Sequence, residues 1–315
     1  MKFKIKLREV LLLQDFGQFP EIWKNIKELG VNGHPGIDIN FGHLDLVPAF
    51  SDGEVVYTDK EVGTVVWIDN EYEYSYSHLE EISVKQGDKI KVGDYVGRQD
   101  SKGKTIQSGD WGHLHFGVRK IERGTIDNTP LKWNFPAFSH IPYKVLNIDN
   151  GFEGYIDPNR YCEKVIERVA KAIETFEKMD VSYFNPGALR YSYLQLYQKN
   201  GFAVFVDYQT GWKALIHQLT ISANGKSSYY KPSGTVLDFC KVYAPSSDNN
   251  NPQNYANFII NYCGFKGGEP ISDWLLTELE WVRKYNSVSK GQTWWVEDAI
   301  IKAFNFAWGL IFRNK

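Results

Sequence analysis

The 315-residue chain has little cysteine: Cys162, Cys240 and Cys263 are odd in number, far apart and without a Cys-x-x-Cys pair. That excludes a disulfide framework or a thiolate zinc knuckle, and all three read as buried small hydrophobes. An excess of one charge is also missing, since 36 basic residues meet 38 acidic ones for a net charge of −2. With no Lys/Arg cluster to neutralise phosphates, nucleic acid is excluded as a partner. Long apolar runs are absent as well. Val10-Leu11-Leu12-Leu13 is too short for the apolar core of a signal peptide. Residues 294–312 are strongly apolar, but Glu297, Asp298, Lys302 and Asn305 keep them short of the roughly 18 uninterrupted apolar residues of a membrane span. Packing on its own domain is the default for such a helix; docking to other subunits or lying on a membrane surface are the alternatives. What is present, 43% hydrophobic and 15% aromatic residues, suffices for more than one core. The length also exceeds a single domain of about 100–200 residues.

Histidine is scarce too, seven in all, yet four ligand-grade side chains fall in two short motifs. His113-Leu114-His115 on a strand puts both imidazoles on one face, because side chains alternate with period two. His34-Pro35-Gly36-Ile37-Asp38 adds an imidazole and a carboxylate. One imidazole of the pair with these two suits zinc held by three protein ligands with an open fourth position, the mark of a catalytic rather than a structural ion. Asp38 lies between Ile37 and Ile39 and points away from two core-type side chains, where an acid needs solvent or a partner. His43, His140 and His217 read as ordinary surface or core histidines.

Gly33-His34-Pro35-Gly36-Ile37-Asp38-Ile39, Tyr76-Ser77-His78-Leu79 and Gly112-His113-Leu114-His115-Phe116 resemble, in order, the three signature blocks of lysostaphin/LytM-type zinc endopeptidases. Pro48–Val55 resembles the hairpin of that family, and Val84, Gly87, Ile90, Val92, Gly93, Val96 and Gly97 resemble its lipoyl-like segment. The resemblance covers roughly residues 15 to 120. It implies an antiparallel β domain of lipoyl-like, duplicated-hybrid-motif type. It further implies zinc held by His34, Asp38 and His115, with His113 and His78 as catalytic imidazoles. The implied substrate is the peptide stems or cross-links of bacterial peptidoglycan. The run from Ser101 to Trp111 departs from the family's glycine- and serine-rich segment, which borders the cleft.

Residues 1–120 alternate apolar and polar positions between Asp-Gly and Gly-Asp turns, a β pattern. The start, Met1 to Arg8, alternates like a strand. Tyr72, Tyr74, Tyr76 and His78 are expected to share a face, with sheet packing as the tyrosines' role. The domains expected are a β domain at 1–125, a Pro-punctuated linker at 126–156, a helical domain at 157–270 and amphipathic helices at 271–315. Asp157-Pro158 predicts a helix start, with Val165, Val169, Ile173 and Phe176 as its apolar stripe. Further helices are expected at 211–222, 234–243, 252–263 (capped by Asn251 and ended by Gly264), 272–286 and 294–312.

The helical half resembles, more loosely, lysozyme-like, lytic-transglycosylase-related domains of phage virion proteins. The residues that carry this are Ala172–Glu177, Asn185–Tyr191, Gly201–Phe205, Gly211–Leu215 and Tyr243–Pro245. It implies an all-α fold in which one glutamate near a helix end, its pKa raised by an apolar setting, is a general acid for glycan cleavage. Glu177 is the candidate and Glu174 the alternative. Glu177-Lys178 and Phe184–Ala188 depart from that family's pattern, and a glycan-holding module without chemistry is the competing role. Tyr191, Tyr193, Tyr197, Tyr229 and Tyr230 are candidates to stack on sugar rings. The whole is expected to be an α+β, two-domain, virion-associated peptidoglycan hydrolase, made without a signal peptide. A structural virion protein and a bacterial cell-wall remodelling endopeptidase are the rival readings.

Overall fold

The structure, a computed structural model, describes residues 2, 5–18, 20, 31–41, 46–61, 63–99, 112–127 and 141–287. The run 101–111, His43, His140 and the expected helix 294–312 lie outside the described residues. The described residues form two compact units, one within 10–161 with Lys2, Asn286 and Ser287, the other 5–9 with 162–285. With a β unit and five α-helices among the described residues, the fold is α+β.

In the β unit an antiparallel sheet runs β1 (Leu11–Gln14), β2 (Ile37–Asn40), β10 (Leu114–Asp127), β6 (Tyr72–Ser77), β5 (Thr64–Ile68), β4 (Gly53–Asp59), β8 (Lys89–Ile90). A smaller sheet orders β3 (Leu46–Pro48), β9 (Tyr95–Gln99), β7 (Leu79–Ile82). Within 126–156, read as a linker, Ile141–Val145 forms β11 and pairs with β10. Among the described residues of the start of the chain, Leu7–Glu9 is a turn of 3-10 helix rather than part of the strand expected.

Register decides which side chains meet. Phe116 pairs with Ile37 and with Tyr76, and Trp67 pairs with Tyr74, so these share one face. There Phe50, Trp67, Tyr76 and Phe116 pack edge to face with ring centroids 4.6–5.5 Å apart. Tyr74 and Tyr76 of β6 therefore build core, as expected. On the opposite face lie Val66, Ile68, Ile121, Tyr143 and Val145, one apolar cluster that β11 helps to close. The same face carries a buried ion pair. Arg119 donates from Nε and Nη2 to the two oxygens of Glu73, both at 2.7 Å, and Tyr143 donates to Glu73 at 2.5 Å. Arg119→Met would leave the buried Glu73 charge without its cation, and a loss of about 3–5 kcal/mol in urea unfolding is expected. A change below about 1 kcal/mol would contradict that reading.

The helical unit contains α1 (Val165–Glu177), α2 (Tyr208–Ala223), α3 (Val236–Tyr243), α4 (Pro252–Cys263) and α5 (Glu278–Tyr285). The α1 stripe buries Val165, Val169 and Ile173, whereas Phe176, its expected fourth member, is 38% exposed. Asp157-Pro158 does not start this helix. Asp157 caps Asn159 N–H at 2.9 Å over a 3-10 turn, and the α-helix begins after Lys164, which is extended and bridged to Thr277. The expected helix 272–286 is divided for a similar reason. A 3-10 turn, Ile271–Leu275, precedes Thr277, whose hydroxyl accepts from Glu280 N at 3.0 Å while Glu280 accepts from Thr277 N at 2.8 Å. That reciprocal pair is a capping box and opens α5. α4 begins at its Asn251 cap and ends at Gly264, φ +76°, as the sequence predicts.

The all-α expectation for this half is corrected by a hairpin, β12 (Tyr197–Lys199) with β13 (Phe202–Val204). Its turn is Asn200-Gly201, both at positive φ, the dipeptide a tight hairpin prefers. All three cysteines are free, with Cys240 and Cys263 buried. Among the described residues no helix is long and apolar enough to cross a membrane.

Candidate metal centre

Sheet register builds the site. His115 on β10 lies opposite Asp38 on one side and Ser77 on the other. Directly paired residues present their side chains on one face, here the face opposite the aromatic core. Ile37, Ile39, Leu114 and Phe116 are wholly buried on the core side and fix that orientation. His34 arrives from the segment before β2, four residues ahead of Asp38.

His34 Nε2 lies 3.0 Å from His115 Nδ1 and 3.2 Å from Asp38 Oδ1, and His115 Nδ1 lies 2.9 Å from the same oxygen. With the carboxylate ionised, every placement of protons on the two neutral rings leaves at least one donor–donor or acceptor–acceptor edge in this triangle. A cation at its centre satisfies all three atoms. Tetrahedral zinc, with bonds of about 2.0–2.2 Å, holds its ligand atoms about 3.4 Å apart, close to the spacing seen. The donor set of two imidazoles and one carboxylate also suits zinc. Burial alone would push the Asp38 carboxyl up, but the neighbouring His34 and His113 and the contacts of the carboxylate with the His115 and His34 rings outweigh it. They hold it well below the usual carboxylate range. Burial pushes His115 down, which favours the neutral ring a metal ligand requires.

Supporting contacts fix these rings. His34 Nδ1 is 3.3 Å from the Asp15 carbonyl, so the donor sits on Nδ1 and the Nε2 lone pair is turned into the triangle. Asn40 donates to the Gly112 carbonyl, tying the end of β2 to the entry of His113. Gly36 lies against His115. A Cβ there would come 2.4 Å from the Phe116 carbonyl oxygen and 2.8 Å from two atoms of the His115 ring. Gly36→Ala is therefore expected to lower the melting temperature and to weaken zinc binding together. An unchanged melt and an unchanged zinc titration would contradict the close approach. Asp15 and Asn40 were not singled out from sequence. Asn40 had a signal, since it falls two residues from Asp38 on the same strand face, whereas Asp15 acts through its backbone and leaves none.

The other two imidazoles border the triangle. His113 Nε2 is 3.7 Å from Asp38 Oδ2, the oxygen turned away from the other pair. His78 and His113 have ring centroids 4.7 Å apart, and the His78 centroid lies 6.4 Å from that of His115. Although His78 is exposed, desolvation by the protein around its ring, then the His113 and His115 imidazoles, lowers its pKa and favours the neutral form. Its position departs from the simple alternation expected. β6 ends at Ser77, and His78 itself sits at φ +66°, which carries its ring off the tyrosine face and into the site.

In the helical unit, Glu177 closes α1 and accepts from Tyr255 Oη at 2.7 Å, and the Tyr255 ring stacks on Phe176 with centroids 4.0 Å apart. Burial pushes its pKa up, opposed by the Tyr255 hydrogen bond. Glu174 is held differently, by Lys171 and by the Tyr208 hydroxyl at 2.6 Å. Tyr191, Tyr193, Tyr197 and Tyr229 are exposed, whereas Tyr230 packs on Phe239.

Residues 32–129 match the model of Peptidase family M23, and His34, Asp38, His78, His113 and His115 all fall in that stretch. Glycyl-glycine endopeptidase ALE-1 from Staphylococcus capitis is 33% identical over 96 residues, 28% of this chain and 25% of its own length. The chain thus spans about a quarter of that curated relative. Among solved structures, the catalytic domain of the antimicrobial peptidase lysostaphin from Staphylococcus simulans is 23% identical. It covers 42% of this chain and 83% of that one, with a TM-score of 0.27. A zinc-containing peptidase from Vibrio cholerae is 27% identical over 29% of this chain and 28% of its own, with a TM-score of 0.23.

Proposed function

We propose that the β unit, which contains an M23 peptidase domain, is a zinc-dependent endopeptidase acting on the peptide stems or cross-links of bacterial peptidoglycan. The observation that carries this reading is the His34–Asp38–His115 triangle, whose mutual distances call for a central cation. Zinc held there supplies a Lewis acid that polarises a carbonyl and lowers the pKa of water. The chain's own residues do the rest. His113 takes the proton from the attacking water as its oxygen bonds to the carbonyl carbon, then passes it to the amine as the C–N bond breaks. Asp38 Oδ2 beside it favours the transient imidazolium. Neutral His78, across the cleft, donates a hydrogen bond to the carbonyl oxygen as negative charge develops there.

The name of the Staphylococcus capitis relative, a glycyl-glycine endopeptidase, makes glycyl-glycine peptides the first substrates to test. Cleavage that needs zinc and stops with chelator is expected. Full activity with chelator in excess would overturn the reading.

We also propose a glycan-directed role for the helical unit, with Glu177 as the acid. Its raised pKa and its Tyr255 partner favour it over Glu174, which is paired with the Lys171 cation. Reducing ends or anhydro-sugars released from peptidoglycan by wild type and lost in Glu177→Gln are expected. Glycan products that persist in the variant would remove Glu177 from that role. A virion-associated setting is proposed on the pairing of two wall-directed units, and purified virions lacking the protein would overturn it.

A further inference from the structure

We infer that Gly63 is a positioning residue for His78: the turn before β5 clamps the chain on both sides of this histidine and turns its ring into the site. The inference rests on the catalytic role proposed above for His78.

Alternation along β6 would send residue 78 the wrong way. Ser77 pairs with His115 and so shares the face of the metal triangle, while Tyr76 pairs with Phe116 on the core face. Continued strand geometry would put residue 78 beside Tyr76, away from His113. The left-handed conformation of His78, φ +66°, breaks that rule. Non-glycine residues enter this region rarely and persist there only when their surroundings hold them.

The surroundings that hold it come from one turn. Leu79 N donates to the Gly63 carbonyl at 3.0 Å, fixing the peptide just after His78. Thr64 Oγ1 lies 3.4 Å from Ser77 Oγ, fixing the residue just before it. Gly63 itself is at φ +72°, and a Cβ on it would sit 2.2 Å from the Leu79 carbonyl oxygen and 2.9 Å from Leu79 N. Only glycine gives this conformation and this approach without strain. A side chain at 63 would push the Leu79 backbone away and release the reversal that aims His78.

The test is a double-mutant cycle on zinc-loaded protein, using Gly63→Ala, His78→Ala and both together, with kcat and KM measured on a cleaved peptide. Gly63→Ala is expected to lower kcat about tenfold or more with KM changed less than about twofold and zinc content unchanged. The double variant should be no slower than His78→Ala alone. Nuclear Overhauser contacts between the His78 and His113 rings, 4.7 Å apart, should weaken in Gly63→Ala whatever its activity. If Gly63→Ala does not fold, Thr64→Val, which removes one half of the clamp without a clash, is read in the same way. An equal loss from Gly63→Ala whether or not His78→Ala is also present, or intact ring contacts in the substituted clamp, would overturn the inference. Full activity of His78→Ala would instead overturn the role of His78 itself, a separate outcome.

Discussion

Replacing His115 with alanine is expected to abolish zinc binding and peptide-bond cleavage together while leaving the fold in place. The fold should survive because His115 points to the site, whereas its neighbours Leu114 and Phe116, both wholly buried, hold β10 from the other face. The metal should not survive. Removing a group that only supports a ligand commonly costs 10–100-fold in metal affinity, so removing one of three ligands should cost more than about 100-fold. Asp38→Asn gives the control of shape without charge. It keeps the side-chain volume but leaves the His34 and His115 rings without their anion, and it should also lose zinc. Metal analysis after dialysis, with circular dichroism for the fold, reads both. Retention of stoichiometric zinc by His115→Ala would place the ion elsewhere.

His113→Ala has the opposite signature, with zinc retained and turnover lost. His113 is 3.7 Å from Asp38 through the second carboxylate oxygen and outside the triangle of short contacts. Its removal should therefore leave the ligand set intact. A positioned acid–base group contributes about 10²–10⁴ in rate, and kcat is expected to fall by that range with KM little changed. Loss of zinc along with activity would instead make His113 a ligand. The pair of variants thus separates holding the metal from moving the proton, two roles that a three-residue motif brings together at the start of β10.

Much of this site was legible in the sequence because its signals are short-range. His-x-His needs only the alternation of a strand, and Asp38 between two isoleucines needs only the contrast of faces. What joins them is register. That His115 stands opposite both Asp38 and Ser77 is set by pairing between β2, β10 and β6, which are separated by tens of residues along the chain. His78 shows the limit of the alternation rule. Tyr72, Tyr74 and Tyr76 obey it, Tyr74 and Tyr76 as core, but one left-handed residue moves His78 to the other side of the sheet.

Charge was less legible than hydrophobicity. Glu73 and Arg119 look like solvent-facing strand positions, yet β11 and the Val66–Tyr143 cluster cover that face and bury the pair. β11 was hidden because Pro142 within it and the aperiodic, proline-bearing sequence before it read as linker. In the helical unit, strong caps at Asn251 and Gly264 gave accurate helix ends, and Thr277 with Glu280 would have divided the last helix had the capping pattern been applied. The Asn200-Gly201 turn was equally visible, and the all-α expectation passed over it.

The most direct test is mass spectrometry of purified peptidoglycan digested by the full chain, with zinc, with chelator, and as His113→Ala. New free amino termini in the peptide moiety, present only with zinc and wild-type His113, are the predicted result. Intact peptides in every zinc-loaded digest, across walls of differing cross-link chemistry, would contradict the assignment of this centre to peptidoglycan hydrolysis.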